Sequence, residues 1–220
     1  MKLSAILTLL LCSISIAQTT QPLDSLLKEI DRRAGEIKDL TADFEQEKQS
    51  PLLKKPLVSK GVVRAKGAAM LWDTASPHPT RMRVDGESLQ LLYVDQKVLE
   101  IFPLQGKLAQ LAASPLPRLK VLQDQFKIEG GQASEGVQTF ILTPTDAKLA
   151  EHVDQVIVAI DTRTAVISRF QLTDPDGEKT VIRFSNHKLN TDLPDAALQI
   201  NAPEGTKTVR PLDGAQNMAP

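Results

Sequence analysis

The three histidines of this chain, His78, His152 and His187, fall in separate segments, and none stands at helical spacing from another. A metal site or a general base built on them would require the fold to gather them by chance. The single cysteine, Cys12, lies in an apolar N-terminal run. If that run is removed, a thiol nucleophile, a thiolate zinc site and an iron–sulfur cluster are all excluded. There is no Gly-x-Ser-x-Gly elbow and no glycine loop able to cradle a phosphate. Asp and Glu number 27, but they sit mostly at turns and on the outward parity of strands, as solvated residues do. The reading is therefore of a protein that is not an enzyme, with no catalytic residue, metal ligand or cofactor. A hydrolase using an unrecognised carboxylate or histidine site is the alternative.

The N-terminus points to a compartment. Lys2 supplies a positive start, Leu3 to Ile16 is apolar, and Ser15-Ile16-Ala17 carries small residues where a signal peptidase reads. The run falls short of the ~20 residues needed to span a bilayer. Cleavage after Ala17 is expected, leaving a mature chain from Gln18. Lipidation at Cys12 is disfavoured because the bulky Leu11 precedes it. No later apolar run is long enough to cross a membrane, so the exported chain is expected to be soluble. Lys and Arg number 26, nearly balancing the acids, and no basic block is interleaved with aromatics. That argues against a nucleic-acid partner.

The pattern then changes period. After Pro22, the residues Leu23, Leu26, Leu27, Ile30, Ala34 and Ile37 recur at helical spacing and predict an amphipathic helix. From Leu40 the period is two, with Leu40, Ala42 and Phe44 on one face. Pro51 to Pro56 reads as a loop, and Leu57 to Ala65 as the next strand. Short strands follow around Met70–Trp72, Met82–Val84, Leu89–Val94 and Val98–Phe102, separated by Pro77, Pro79, Asp85-Gly86 and Asp95-Gln96. Later strands are expected at Phe140–Leu142, Val156–Ile160, Val166–Leu172 and Val181–Phe184, the last two joined by a hairpin at Asp174–Gly177. Such short links favour an antiparallel meander. Residues 104–125 break the rhythm. Leu104, Leu108, Leu111, Leu116, Leu119, Val121 and Leu122, interrupted by Pro115 and Pro117, predict two short helices lying across a sheet face or beside its edge.

The order of punctuation carries a resemblance. Phe44-x-Gln46, Pro56-Leu57-x-Ser59-x-Gly61, Leu71-Trp72-Asp73, Pro77 and Val84-Asp85-Gly86 succeed one another behind an export signal. Asp195-Ala196-Ala197 and Pro203-Glu204-Gly205 close the chain. In this order the sequence resembles the LolA-like periplasmic lipoprotein carriers. The resemblance implies an unclosed antiparallel β barrel of about eleven strands, mainly β with helices covering a concave apolar face. It implies one carrier domain over 18–213, between a signal peptide at 1–17 and a loose tail at 214–220. It also implies a periplasmic monomer that takes lipoprotein, or another acylated lipid, from an inner-membrane exporter to an outer-membrane acceptor. A module of the same fold that senses lipid or stress proteins without transport is the second alternative. Shielding a ~16-carbon chain from water is worth about 13 kcal/mol, at ~0.8 kcal/mol per methylene. Moderate affinity through a movable cover is thus expected.

The lining expected from the strands is Phe44, Val63, Met70, Trp72, Met82, Leu91, Tyr93 and Phe102, and from the cover Leu108, Leu111, Leu119 and Leu122. A one-residue slip in register would exchange the strand set for its neighbours. The resemblance also implies a latch, formed in the family by an arginine six residues before the tryptophan. That position holds Lys66 here, with Arg64 two residues further off. Lysine lacks arginine's forked donor geometry, so the closing contact is expected to differ.

Overall fold

The computed structural model describes residues 22–103, 116 and 118–211. The N-terminal run, the 214–220 tail, Leu108 and Leu111 lie outside the described residues. Helix α1, Leu23–Ala34, begins after Pro22 and buries Leu27, Ile30 and Ala34 along one stripe. Its other side is tied by charge. Arg32 and Arg33 both hold Glu29, and Arg33 Nη1 donates to the Thr162 and Arg163 carbonyls at 3.1 and 3.2 Å. The hydrogen bonds from Arg32 and then Arg33 bring the Glu29 carboxyl down to about 2.

The strands are β1 (Asp39–Gln49), β2 (Leu57–Lys66), β3 (Ala69–Ser76), β4 (Thr80–Val84), β5 (Ser88–Tyr93) and β6 (Val98–Pro103). After them come β7 (Phe126–Ser134), β8 (Val137–Pro144), β9 (Gln155–Asp161), β10 (Val166–Thr173), β11 (Lys179–Leu189) and β12 (Lys207–Val209). All twelve form one sheet in the order β12-β6-β5-β4-β3-β2-β1-β11-β10-β9-β8-β7. Pairing is antiparallel throughout except at the edge, where β12 runs parallel to β6. With β12 and β7 as opposite edges the sheet does not close. The fold is the mostly β, unclosed sheet expected, with β12 added to eleven antiparallel strands.

Two strands were not anticipated from sequence. In β7, Gly130-Gly131 interrupts the alternation and most positions are exposed, as suits an edge. β12 is three residues long and pairs only through chain brought from far away.

This order has a topological consequence. β1 sits near the middle, and the first meander runs outward to β6. The chain then re-enters at the opposite edge, β7, and returns to β1 through β11. The Pro103-to-Phe126 link therefore joins opposite sides of the sheet, and the link from β11 to β12 must also cross it.

Register settles the parity. Val63 faces Trp72, Trp72 faces Met82, and Met82 faces Leu91. Phe44, Met70, Tyr93 and Phe102 stand two residues along from positions in these rows or their continuations. All eight strand residues singled out from sequence thus share one face, which also carries Leu40, Ala65 and Val84. The buried residues of α1 belong to the same apolar cluster as this face. We call it concave. A Cβ on Gly61 would stand 2.1 Å from the Asp73 carbonyl, so the β2–β3 bulge beside Gly61 admits only glycine.

The opposite, convex face carries the C-terminal crossing. Asp39 accepts from Thr191 N at 2.8 Å, Thr191 Oγ1 at 2.9 Å and Leu193 N at 3.3 Å. Arg83 Nε donates to Leu198 O at 2.9 Å and Arg81 Nη1 to Asn201 O at 3.1 Å. Lys97 Nζ donates to Glu204 O at 3.2 Å before Lys207 N reaches Lys97 O at 2.8 Å. Along this path the 3-10 helix Asp195–Leu198 lies against β2 and β3 and buries Leu198. Leu71 and Leu92, on convex parity, are buried as well.

Candidate functional site

The concave face is not filled evenly. At its centre Phe44 and Phe184 are cross-strand partners on β1 and β11. Trp72 of β3 stacks edge-on to Phe44 with centroids 4.8 Å apart, and tilts against Phe184 at 5.7 Å. Beyond this trio the second meander opens into a cavity of about 300 Å³. Its strand walls include Val156 and Val158 of β9, Phe170 and Leu172 of β10, and Ile182 of β11. These five wall residues are all β-branched, aliphatic or aromatic, so this part of the wall offers hydrocarbon nothing to desolvate.

The cover comes from the crossing link. Helix α2, Leu119–Leu122, brings Leu119 and Leu122 onto the cavity, with Leu116 beside them. One carboxylate fastens it. Asp31 of α1 accepts from Leu119 N at 2.8 Å and from Lys120 N at 2.7 Å, capping the free amides that begin α2. Leu149 closes another side from helix α3, Ala147–Ala150, whose N-cap Asp146 accepts from Leu149 N.

Of the residues expected to line a site, Trp72, Leu119 and Leu122 meet at this cavity. Phe44 touches it through Trp72. Val63 is fully buried in the apolar cluster. Met70 is buried too and lines a separate recess of about 620 Å³ with Asp31, Lys38, Arg118 and Lys120 around it. Met82, Leu91, Tyr93 and Phe102 continue the concave face as half-buried residues away from both.

The latch expected of Lys66 and Arg64 has other partners. Lys66 Nζ donates to Leu193 O at 2.8 Å and pairs with Asp195 at 2.7 Å, holding the convex crossing. Arg64 lies 3.5 Å from Asp73. Both sit on β2 at convex parity, opposite Val63 and Ala65, so they point away from the described cover. The contact that does hold it, Asp31, was missed. Its available signal was an acid on the polar side of an amphipathic helix, which ordinarily reads as solvated.

Few groups here could do chemistry. Among the described residues no set of three His, Cys, Asp or Glu converges to hold a metal. His187 Nε2 lies 3.2 Å from Ile167 O. Two polar groups reach the cavity wall: Arg118, at its rim beside α2, and Trp72, whose Nε1–H is buried with no acceptor among the described residues. What the arrangement offers is enclosure of an apolar body.

Comparison with known proteins gives the same direction. The family described as outer membrane lipoprotein carrier protein LolA matches residues 35–201. An outer-membrane lipoprotein carrier protein of Cupriavidus pinatubonensis is 23% identical over 197 residues, 89% of each chain. One from Vibrio campbellii is 26% identical over 196 residues, 88% of each chain. Among solved structures, an uncharacterized conserved protein from Thermus thermophilus superposes with a TM-score of 0.56 at 13% identity, over 85% of this chain and 98% of that one. That likeness concerns the fold.

Proposed function

The chain belongs to the LolA family of outer membrane lipoprotein carrier proteins, and on that premise we propose that its concave cavity holds the acyl chains of a lipoprotein in transit across the periplasm. The observation that carries this reading is the cavity itself. Apart from Arg118, leucine, valine, isoleucine and aromatic side chains wall it, under a short helix whose first amides Asp31 caps. Hydrocarbon is stabilised there by leaving water, and no directed bond has to break for it to leave.

In this reading Trp72, Leu119 and Leu122 touch the first chain, together with Phe170, Leu172 and Ile182. At about 300 Å³ the cavity sits at the low end of small-ligand sites, ~300–1,000 Å³. Several acyl chains together would displace the cover and spread along Phe44, Met70, Met82, Leu91, Tyr93 and Phe102 of the same face. The carrier is exported by a leader cleaved after Ala17 and works as a monomer. It receives cargo from an inner-membrane exporter and yields it to an outer-membrane acceptor.

The test is to purify the protein from periplasm, extract bound lipid and identify it by mass spectrometry. Release of lipoprotein from spheroplasts on adding the purified protein is measured alongside. Acylated cargo and soluble lipoprotein are the expected results. A chain that carries no acyl group and releases none would overturn the reading.

A further inference from the structure

Among the described residues, the exposed large apolar side chains are Val121 and four that gather at the β1–β2 hairpin tip, residues 50–58. Leu52 is 91% exposed, Leu57 57%, Val58 42% and Leu53 40%. Lys54 and Lys55 stand between them, flanked by Pro51 and Pro56. The tip is a formed turn. Leu53 N donates to Ser50 O at 3.0 Å and Leu52 N to Ser50 Oγ at 3.3 Å. Charge is treated differently on the stem and at the tip. On the stem Lys48 pairs with Glu178, Lys60 with Glu45, and Arg183 with Glu47. Lys54 and Lys55 form no ion pair among the described residues.

Two exposed leucines followed by two uncompensated lysines suit a surface that is apolar a few ångströms down and anionic on top. Four side chains of one hairpin offer far less than the ~800 Å² per partner of a stable protein interface. A bilayer needs no such area, because its depth takes the leucines and its headgroups take the ammonium groups. We infer that this hairpin docks the protein transiently on an anionic phospholipid membrane surface. Its place fits that role. The paired row Leu57, Lys48, Thr180, Leu172, Val156, Leu142 crosses the sheet beside the tip. Its last three members line the apolar cavity. The hairpin thus stands at the end of the sheet where the cavity ends, and docking brings that end to the lipid. The inference rests on the hairpin and not on what the cavity holds.

The test is flotation of the purified protein with vesicles of phosphatidylglycerol and phosphatidylethanolamine, and with vesicles of phosphatidylcholine alone. The protein is expected to prefer the anionic vesicles and to lose that preference in high salt. Leu52→Ser/Leu53→Ser should lower binding to both at least tenfold. Lys54→Gln/Lys55→Gln should lower binding about tenfold on anionic vesicles and leave phosphatidylcholine unchanged. Fatty-acid binding in solution should stay as in the wild type for both variants, and the cavity variant Phe170→Glu should float as the wild type does. No preference of the wild type for anionic lipid would overturn the inference. So would wild-type flotation of either hairpin variant, or capture by a membrane protein without any binding to lipid alone.

Discussion

The described parts of the two links that span the sheet lie on opposite faces and are held by different means. The convex crossing, from Asn190 to Thr206, is fixed by directed bonds: Asp39, Lys66, Arg81, Arg83 and Lys97 each grip its backbone. The concave crossing, in its described part, rests on Leu119 and Leu122 and on one carboxylate, Asp31. Hydrogen bonds weaken steeply with distance and angle, so the first crossing has one position. Apolar contact is non-directional, and any hydrocarbon of the right shape can replace it. One face is therefore held by directed bonds, and the other chiefly by contacts without direction.

The largest expected effect would break this contrast on the concave side. Phe170→Glu sets an unpaired carboxylate against hydrocarbon, a cost of several kcal/mol. Fatty-acid affinity should fall more than a hundredfold, with the urea midpoint near that of the wild type. A displacement titration with a fluorescent fatty acid checks this. Met70 is the poorer site for the same test, since it is only 5% exposed within the apolar cluster, and a charge there attacks the fold.

On the convex side, Leu198→Ala should cost about 2–4 kcal/mol of stability by leaving a cavity beneath the 3-10 helix. Acyl affinity should hold. Urea unfolding with the same titration separates the two, and a parallel loss of binding would mean that the faces are coupled.

A smaller effect sharpens the account of the cover. Asp31→Ala removes the acceptor for two amides, worth about 1 kcal/mol by analogy with capping residues. Amide exchange at residues 119–122 should quicken about fivefold. Strands β9 and β10 should be unchanged, and bound fatty acid should restore protection. Equal exchange with and without lipid would make the helix static packing.

The smallest effect is in pH. The Thr191 backbone amide, above all, lowers the Asp39 carboxyl, despite burial, and the Lys66 ammonium lowers that of Asp195. A depressed carboxyl contributes stability that is complete above its unfolded value, near pH 4, and is lost as pH falls through the folded value. The wild type should therefore lose stability below about pH 4. Asp39→Asn should show a shallower loss, read from urea midpoints at neutral and acid pH.

Much of this was legible in the residues. Phe44, Val63, Trp72 and Met82 share a face because side chains alternate with period two, and each lay on the apolar parity of its own strand. The short helix Leu119–Leu122 was legible from leucine spacing, and Leu119 and Leu122 reach the cavity from it. The second wall was not legible as a site. Val156, Val158, Phe170, Leu172 and Ile182 read as ordinary strand core, because an apolar strand residue looks the same whether it faces a neighbour or a void. The direction of the latch residues was hidden for a related reason. Lys66 could be counted back from Trp72, but its direction depends on the parity of β2.

The sequence by itself determined helix α1, every strand but β7 and β12, the apolar parity of those strands and the kinship, because these follow from period, turn chemistry and residue order along one strand at a time. The tertiary structure alone decided which edge β7 joins, and hence that the links after β6 and β11 must both span the sheet. It also decided that Asp31, eighty-eight residues from Leu119, caps the start of the short helix beside the cavity. Long-range pairing of this kind depends on the register of every intervening strand, and no local stretch of residues contains it.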